Sequence, residues 1–160
     1  MHQIYRLKTI VLGHLHLMPA PPSAQLQSVC QALARRHVHK LVSLLTDEDI
    51  AALDLTGEPA AAEAQGIEFI HFPILDFGLP DPDEFRPEVA RLCDALRAGE
   101  NIAIHCRAGI GRTGTLASCI LKGLGLPSDE AMARVAAARG TSIPDTDVQR
   151  QFITGFQLYG

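Results

Sequence analysis

The chain has 160 residues, enough for one domain with a sizeable core, and its 47% hydrophobic content is that of a globular protein rather than a disordered one. A net charge of −4 argues against a surface built to grip nucleic acid or an anionic membrane, since both need a positive field. No apolar run approaches the roughly 20 residues of a membrane span, and the opening "MHQIYRLKTIVLGHLHLM" is too broken by charge and histidine to read as a signal peptide.

Residues 3–18 alternate loosely and predict one or two short strands. "MPAPPS" (Met18 to Ser23) predicts a turn into a helix that Ser23 caps, with Leu26, Val29, Cys30 and Leu33 as its buried stripe. "HKLVSLL" (His39 to Leu45) predicts a buried strand, and "TDEDIAAL" has the capping residue and acids of a helix N-terminus. After Gly66, "IEFIHFPIL" predicts another strand, followed by a proline- and glycine-rich loop, "DFGLPDPDEF". Phe85, Val89, Leu92, Cys93 and Leu96 then share one face of an amphipathic helix that Gly99 ends. "NIAIH" is a short buried strand, and from Arg112 onward Leu116, Ala117, Ile120, Leu121 and Leu124 recur with helical period. Pro127-Ser128 starts a further helix. A last one, from near Pro144, is expected to turn Val148, Phe152, Phe156 and Tyr159 inward.

Strands alternating with helices, with few hairpin signals, predict one α/β domain over residues 1–160: a sandwich with a central, largely parallel sheet flanked by helices. Ligands of such sheets bind outside the carboxyl ends of the strands, and Cys106 sits at that end of "NIAIH". The other cysteines, Cys30, Cys93 and Cys119, read as core filler, although a redox role for Cys119 stays open. With no C-x-x-C pair and no zinc spacing, no metal or other cofactor is expected, and the pattern suits a reducing cytoplasm.

The segment "IAIHCRAGIGRTGT" concentrates the chemistry. Its Gly109-x-Gly111-x-x-Gly114 spacing imitates a dinucleotide fingerprint, but helix follows where that fold needs a second strand ending in an acid. It also imitates a nucleotide-binding Walker loop, but Thr115 stands where the lysine must be. A strand–loop–helix turn aims several backbone amides into one concavity, the helix end adds positive charge, and Gly109 and Gly111 allow backbone angles that a side chain would block. Amides of Arg107, Ala108, Gly109, Ile110, Gly111 and Arg112, with the Arg112 guanidinium reaching back, make a cradle for a tetrahedral dianion. The same dipoles favour a thiolate at Cys106, aimed at phosphorus, so the expected reaction is in-line displacement giving a cysteinyl phosphate. Thr113 is placed to donate its hydroxyl to the sulfur, and His105 reads as a residue that fixes loop geometry rather than one that moves protons.

"HCRAGIGRT" (His105 to Thr113) has the form H-C-x-x-G-x-x-R-[ST] and resembles the signature of the cysteine-dependent protein tyrosine phosphatases. "LVSLL", "FPILDFGLPDP" and "GRTGTLASCIL" are similar to segments of the small dual-specificity branch, of atypical and cyclin-dependent-kinase-associated type, over about residues 10–158. The resemblance implies a phosphatase-type fold, a phosphorylated protein or peptide as substrate, and phosphate or sulfate as guests of the site. Neither nucleic acid nor membrane is an expected partner.

The leaving oxygen needs a proton from an acid on a separate loop, for which Asp76, Asp81 and Asp83 are the candidates. Asp76 directly follows "FPIL", where the family carries its acid, while Asp81 and Asp83 read as solvated or as caps of the next helix. Some tyrosine phosphatases use a C-terminal glutamine to orient the water of the second step. Gln149, Gln151, Asp145 and Asp147 lie in a comparable region and stay unassigned. A phosphatase of inositol phosphate, RNA 5′-phosphate or a small metabolite is the alternative substrate reading. A non-catalytic phosphate-binding module is the alternative to catalysis.

Overall fold

A computed structural model describes residues 2–158. Tyr159, expected to face inward, lies outside the described residues. The strands are β1 (Tyr5–Leu7), β2 (Leu15–Met18), β3 (Val38–Ser43), β4 (Glu68–His71) and β5 (Asn101–His105), and they form one sheet in the order β1-β2-β5-β3-β4. β1 and β2 pair antiparallel, whereas β2–β5, β5–β3 and β3–β4 are parallel. The expected α/β sandwich with a largely parallel sheet is the observed one.

Among the described residues seven α-helices cover the sheet: α1 (Leu26–Arg35), α2 (Asp47–Leu53), α3 (Glu58–Glu63), α4 (Pro82–Arg97), α5 (Gly111–Gly123), α6 (Ser128–Arg139) and α7 (Asp147–Gly155). Strand side chains alternate between faces. In β5, Ile102 and Ile104 join the larger core, which contains Phe85, Leu92, Leu116, Ile120, Val135 and Ile153 from α4 to α7. Ala103 faces the smaller core, with Val29 and Leu33 of α1 and Ala62 of α3. Phe85 is completely buried and meets Phe72, Phe152 and Phe156 at centroid separations of 5.6 to 5.9 Å. Among the described residues no helix is long and apolar enough to cross a membrane.

Several local expectations are corrected. Ser23 caps nothing: a 3-10 turn, Ser23–Gln25, precedes α1, and neither has a side-chain cap. The strand expected from Ile67 to Leu75 is regular only as β4; beyond it Phe72 and Ile74 still donate to the Ser43 and Leu44 carbonyls at 2.9 and 3.0 Å, and Pro73 between them sits with its missing N–H on the open edge of the sheet. The last helix starts at Asp147 rather than near Pro144, with Thr146 as its cap, and Val148 is 54% exposed instead of inward. Helix α3 was not legible as a periodic segment. It is a short alanine-rich turn with Pro59 in its first turn and no side-chain cap.

Phe85→Ala is expected to destabilise the fold by about 3–5 kcal/mol, because the three surrounding rings cannot collapse into the vacated volume. Chemical denaturation of the two proteins measures the difference.

Candidate active site

Parallel pairing brings the exits of β5, β3 and β4 to one end of the sheet. The first carries Cys106, the second enters α2 with Asp49, and the third becomes the loop holding Asp76. Cys106 is 3% exposed, and its Sγ accepts a hydrogen bond of 3.0 Å from the Thr113 hydroxyl in the first turn of α5. None of the amides from Arg107 to Arg112 donates to a protein acceptor among the described residues. These are the unpaired donors of a loop and helix start that a bound anion satisfies.

Arg112 is only 2% exposed, and its guanidinium is divided in use. Nη1 donates to Asp49 Oδ2 at 2.8 Å and to the Ile74 carbonyl at 2.9 Å. Nε and Nη2 are buried without a hydrogen-bond partner, although Asp76 Oδ1 lies 3.5 Å from Nη2. Nε and Nη2 form one planar fork, an edge whose geometry suits two oxygens of a tetrahedral anion.

Asp49 was missed in the sequence except as one of several helix-start acids. Its Oδ2 also accepts the Thr46 amide at 3.2 Å while the Thr46 hydroxyl accepts the Asp49 amide, a reciprocal cap of α2. Arg107, half-exposed at the rim, reaches Asp49 Oδ1 at 3.4 Å. Burial pushes the Asp49 carboxyl up, but the hydrogen bonds from Arg112 and Thr46 outweigh it and hold the group below its ordinary value.

His105 is fully buried, with Nε2 2.5 Å from Glu58 Oε2 and Nδ1 3.2 Å from the Cys106 carbonyl. Both ring nitrogens are occupied, so the ring props the loop from below. Glu58, itself 1% exposed, belongs to the unanticipated α3 and carried no sequence signal. Gly109 has φ +74°, and a Cβ there would sit 2.5 Å from the Met18 carbonyl oxygen. Gly111 corrects the expectation of a special backbone angle. It is helical, and its bare Cα admits the Asp145 carboxylate and the Gln149 amide instead. Gln149 is buried; its Oε1 accepts amides of Asp145 and Thr146 while Nε2 has no partner. Gln151 and Asp147 are exposed. From α6, Arg139 donates to the carbonyls of Gly109 and Ala108 at 3.1 and 2.9 Å.

Asp76 is half-exposed beside the fork. Asp81 instead caps α4, accepting the Asp83 amide at 2.9 Å, and Asp83 pairs with Arg86 at 3.2 Å. The remaining thiols are buried packing: burial pushes Cys30 and Cys93 each up to about 11 and raises Cys119 further.

A family model described as "polymorphic toxin system, DSP-PTPase phosphatase" matches residues 18–125, the span that holds Asp49, Asp76, Cys106 and Arg112. The chain belongs to this phosphatase family. Protein tyrosine phosphatase domain-containing protein 1 of Bos taurus is 37% identical over 86 residues, which are 53% of this chain and 11% of that protein. The chain therefore spans only a small part of the curated relative's length. Among solved structures, kinase associated phosphatase with its catalytic-site cysteine replaced by serine superposes with a TM-score of 0.86 at 20% identity, covering 95% of this chain and 92% of that one. Tk-PTP in its active form gives 0.70 at 25% identity, covering 93% and 92%. The fold is thus that of small phosphatases of the dual-specificity type.

Asp49→Asn is expected to lower stability at pH 7 by about 2 kcal/mol, the scale of hydrogen bonds to a charged group. A carboxyl held low in the folded state stabilises above its unfolded value of about 3.9, and that contribution fades as pH falls through the lower folded value. Urea titrations should therefore show the gap between the two proteins closing in acid.

Proposed function

We propose that the chain hydrolyses phosphomonoesters through a cysteinyl-phosphate intermediate, with phosphorylated protein or peptide as substrate. The unpaired Nε–Nη2 edge of a buried Arg112, set beside six free amides around Cys106, is the observation that carries this reading. The amides and the fork hold three phosphoryl oxygens, and the sulfur below them attacks phosphorus in line with the leaving oxygen. Asp76 protonates that oxygen as the P–O bond breaks. In the second step Asp76, now ionised, takes a proton from a water that attacks phosphorus, and the S–P bond breaks. The Thr113 hydroxyl stabilises the departing thiolate. Gln149, with its free amide nitrogen beside Gly111, is assigned to holding the water.

Around Asp76 the loop exposes Leu75, Phe77 and Leu79 at 71, 64 and 40%. This apolar rim supports an aromatic ring next to the phosphate, so phosphotyrosine is the favoured substrate over phosphoserine and phosphothreonine. Its better leaving group adds to the preference.

Cys106→Ser is expected to remove p-nitrophenyl phosphate hydrolysis by about a thousandfold or more, chelator having no effect on the parent. Asp76→Ala should cost about a hundredfold or more with alkyl phosphates and far less with p-nitrophenyl phosphate, whose leaving group needs little protonation. Equal losses on both would make Asp76 structural. Arg112→Lys should lose about as much as Arg112→Ala, on the order of a hundredfold, because a point charge cannot replace a planar fork. Steady-state kinetics on each variant measure these effects.

A further inference from the structure

A second cationic pocket lies at the other end of β5 from Cys106, about 16 Å away by the rise of the intervening residues. It is a cavity of about 390 Å³ lined by Arg6, His14, His16, Arg36, His37 and Asn101, with no carboxylate in its walls. In a chain of net charge −4 that concentration of one sign is local. Neither Arg6 nor Arg36 has an ion-pair partner among the described residues. Glu100, adjacent in sequence, is turned away to Lys40 at 3.0 Å.

His16 and His14 stand in its wall. His16 is 4% exposed, and its Nδ1 is buried without a hydrogen-bond partner. An orphaned buried polar atom of this kind needs a ligand or costs stability. His14 accepts the Thr9 amide at Nδ1, which leaves the proton of the neutral ring on Nε2. His37 holds φ +60°, a left-handed conformation that a glycine would adopt more easily. Its carbonyl is pinned there by Asn101 Nδ2 at 3.1 Å.

We propose that this pocket binds the phosphate group of a small phosphorylated molecule, with Arg6 and Arg36 as charge partners, His14 Nε2 as hydrogen-bond donor and the His16 ring in its wall. Burial, then the charges of Arg36, Arg6 and His14, push the His16 imidazole down to about 4, a penalty that a bound anion relieves.

The test uses the full chain and inorganic pyrophosphate, followed by calorimetry and by the imidazole resonances of His16. Arg112→Ala disables the catalytic fork and isolates the second pocket. The His16 signals should still move saturably in that variant. Arg6→Gln and Arg36→Gln should each weaken this binding about tenfold, and Arg36→Lys less, as expected for loss of a charged hydrogen bond. Amide spectra establish that each variant is folded, and the two arginines provide independent tests. His16 signals that stay fixed in Arg112→Ala, or that move equally in both glutamine variants, overturn the proposal. Neither result depends on catalysis, so the catalytic reading stands or falls separately.

Discussion

One carboxylate organises this site. A guanidinium that is 2% exposed cannot remain in the interior unless an opposite charge and hydrogen bonds meet it. Asp49 meets one edge of Arg112 together with the Ile74 carbonyl, and the opposite edge is left buried, without a hydrogen-bond partner and beside Asp76. The same oxygen of Asp49 that holds the arginine also accepts the Thr46 amide. The first turn of α2 and the aim of the guanidinium are therefore set by a single group, and neither can shift without the other.

The sheet explains why these residues meet at all. Parallel strands send their exits to one end, so segments separated by roughly sixty residues in sequence converge there. Close packing from below and behind then limits how far the loop can move. The His105–Glu58 pair supports its floor. The bare Cα of Gly109 lets the loop lie against the backbone at the end of β2, and Ala20 holds it there by donating to the Arg107 carbonyl at 3.0 Å. Preorganisation of this kind is what makes fixed dipoles effective toward charge that develops during a reaction.

The layered fold and the loop from His105 to Thr113 were legible because each rests on local pattern. Buried strands read as apolar runs, and the loop reads as a fixed set of residue types between strand and helix. The supporting groups were not legible, since each acts across many residues. The T-x-x-D spacing of Thr46 and Asp49 announces a cap, but nothing local says that the cap faces Arg112. Glu58 stands in an alanine-rich turn with no capping side chain, and its partner lies 47 positions away. Gly111 shows the converse error. The sequence suggests backbone freedom there, whereas the space it leaves is filled by Gln149 of α7 and by Asp145 from the segment just before that helix. Val148 fits the helical period, but α7 turns Gln149 inward and leaves Val148 outside.

Arg139 adds a constraint that begins at the sheet edge. A peptide unit is planar, with its carbonyl and the following N–H pointing in opposite directions. By pulling the Ala108 and Gly109 carbonyls outward, Arg139 turns the amides of Gly109 and Ile110 the other way, into the concavity. Its own guanidinium rests over the Tyr5 ring, 4.2 Å from the centroid. The outermost strand, which contributes little to the hydrophobic interior, thus acts as a rigging point for dipoles at the centre of the molecule. Trimming that strand would leave most of the core standing yet slacken the loop's polarity.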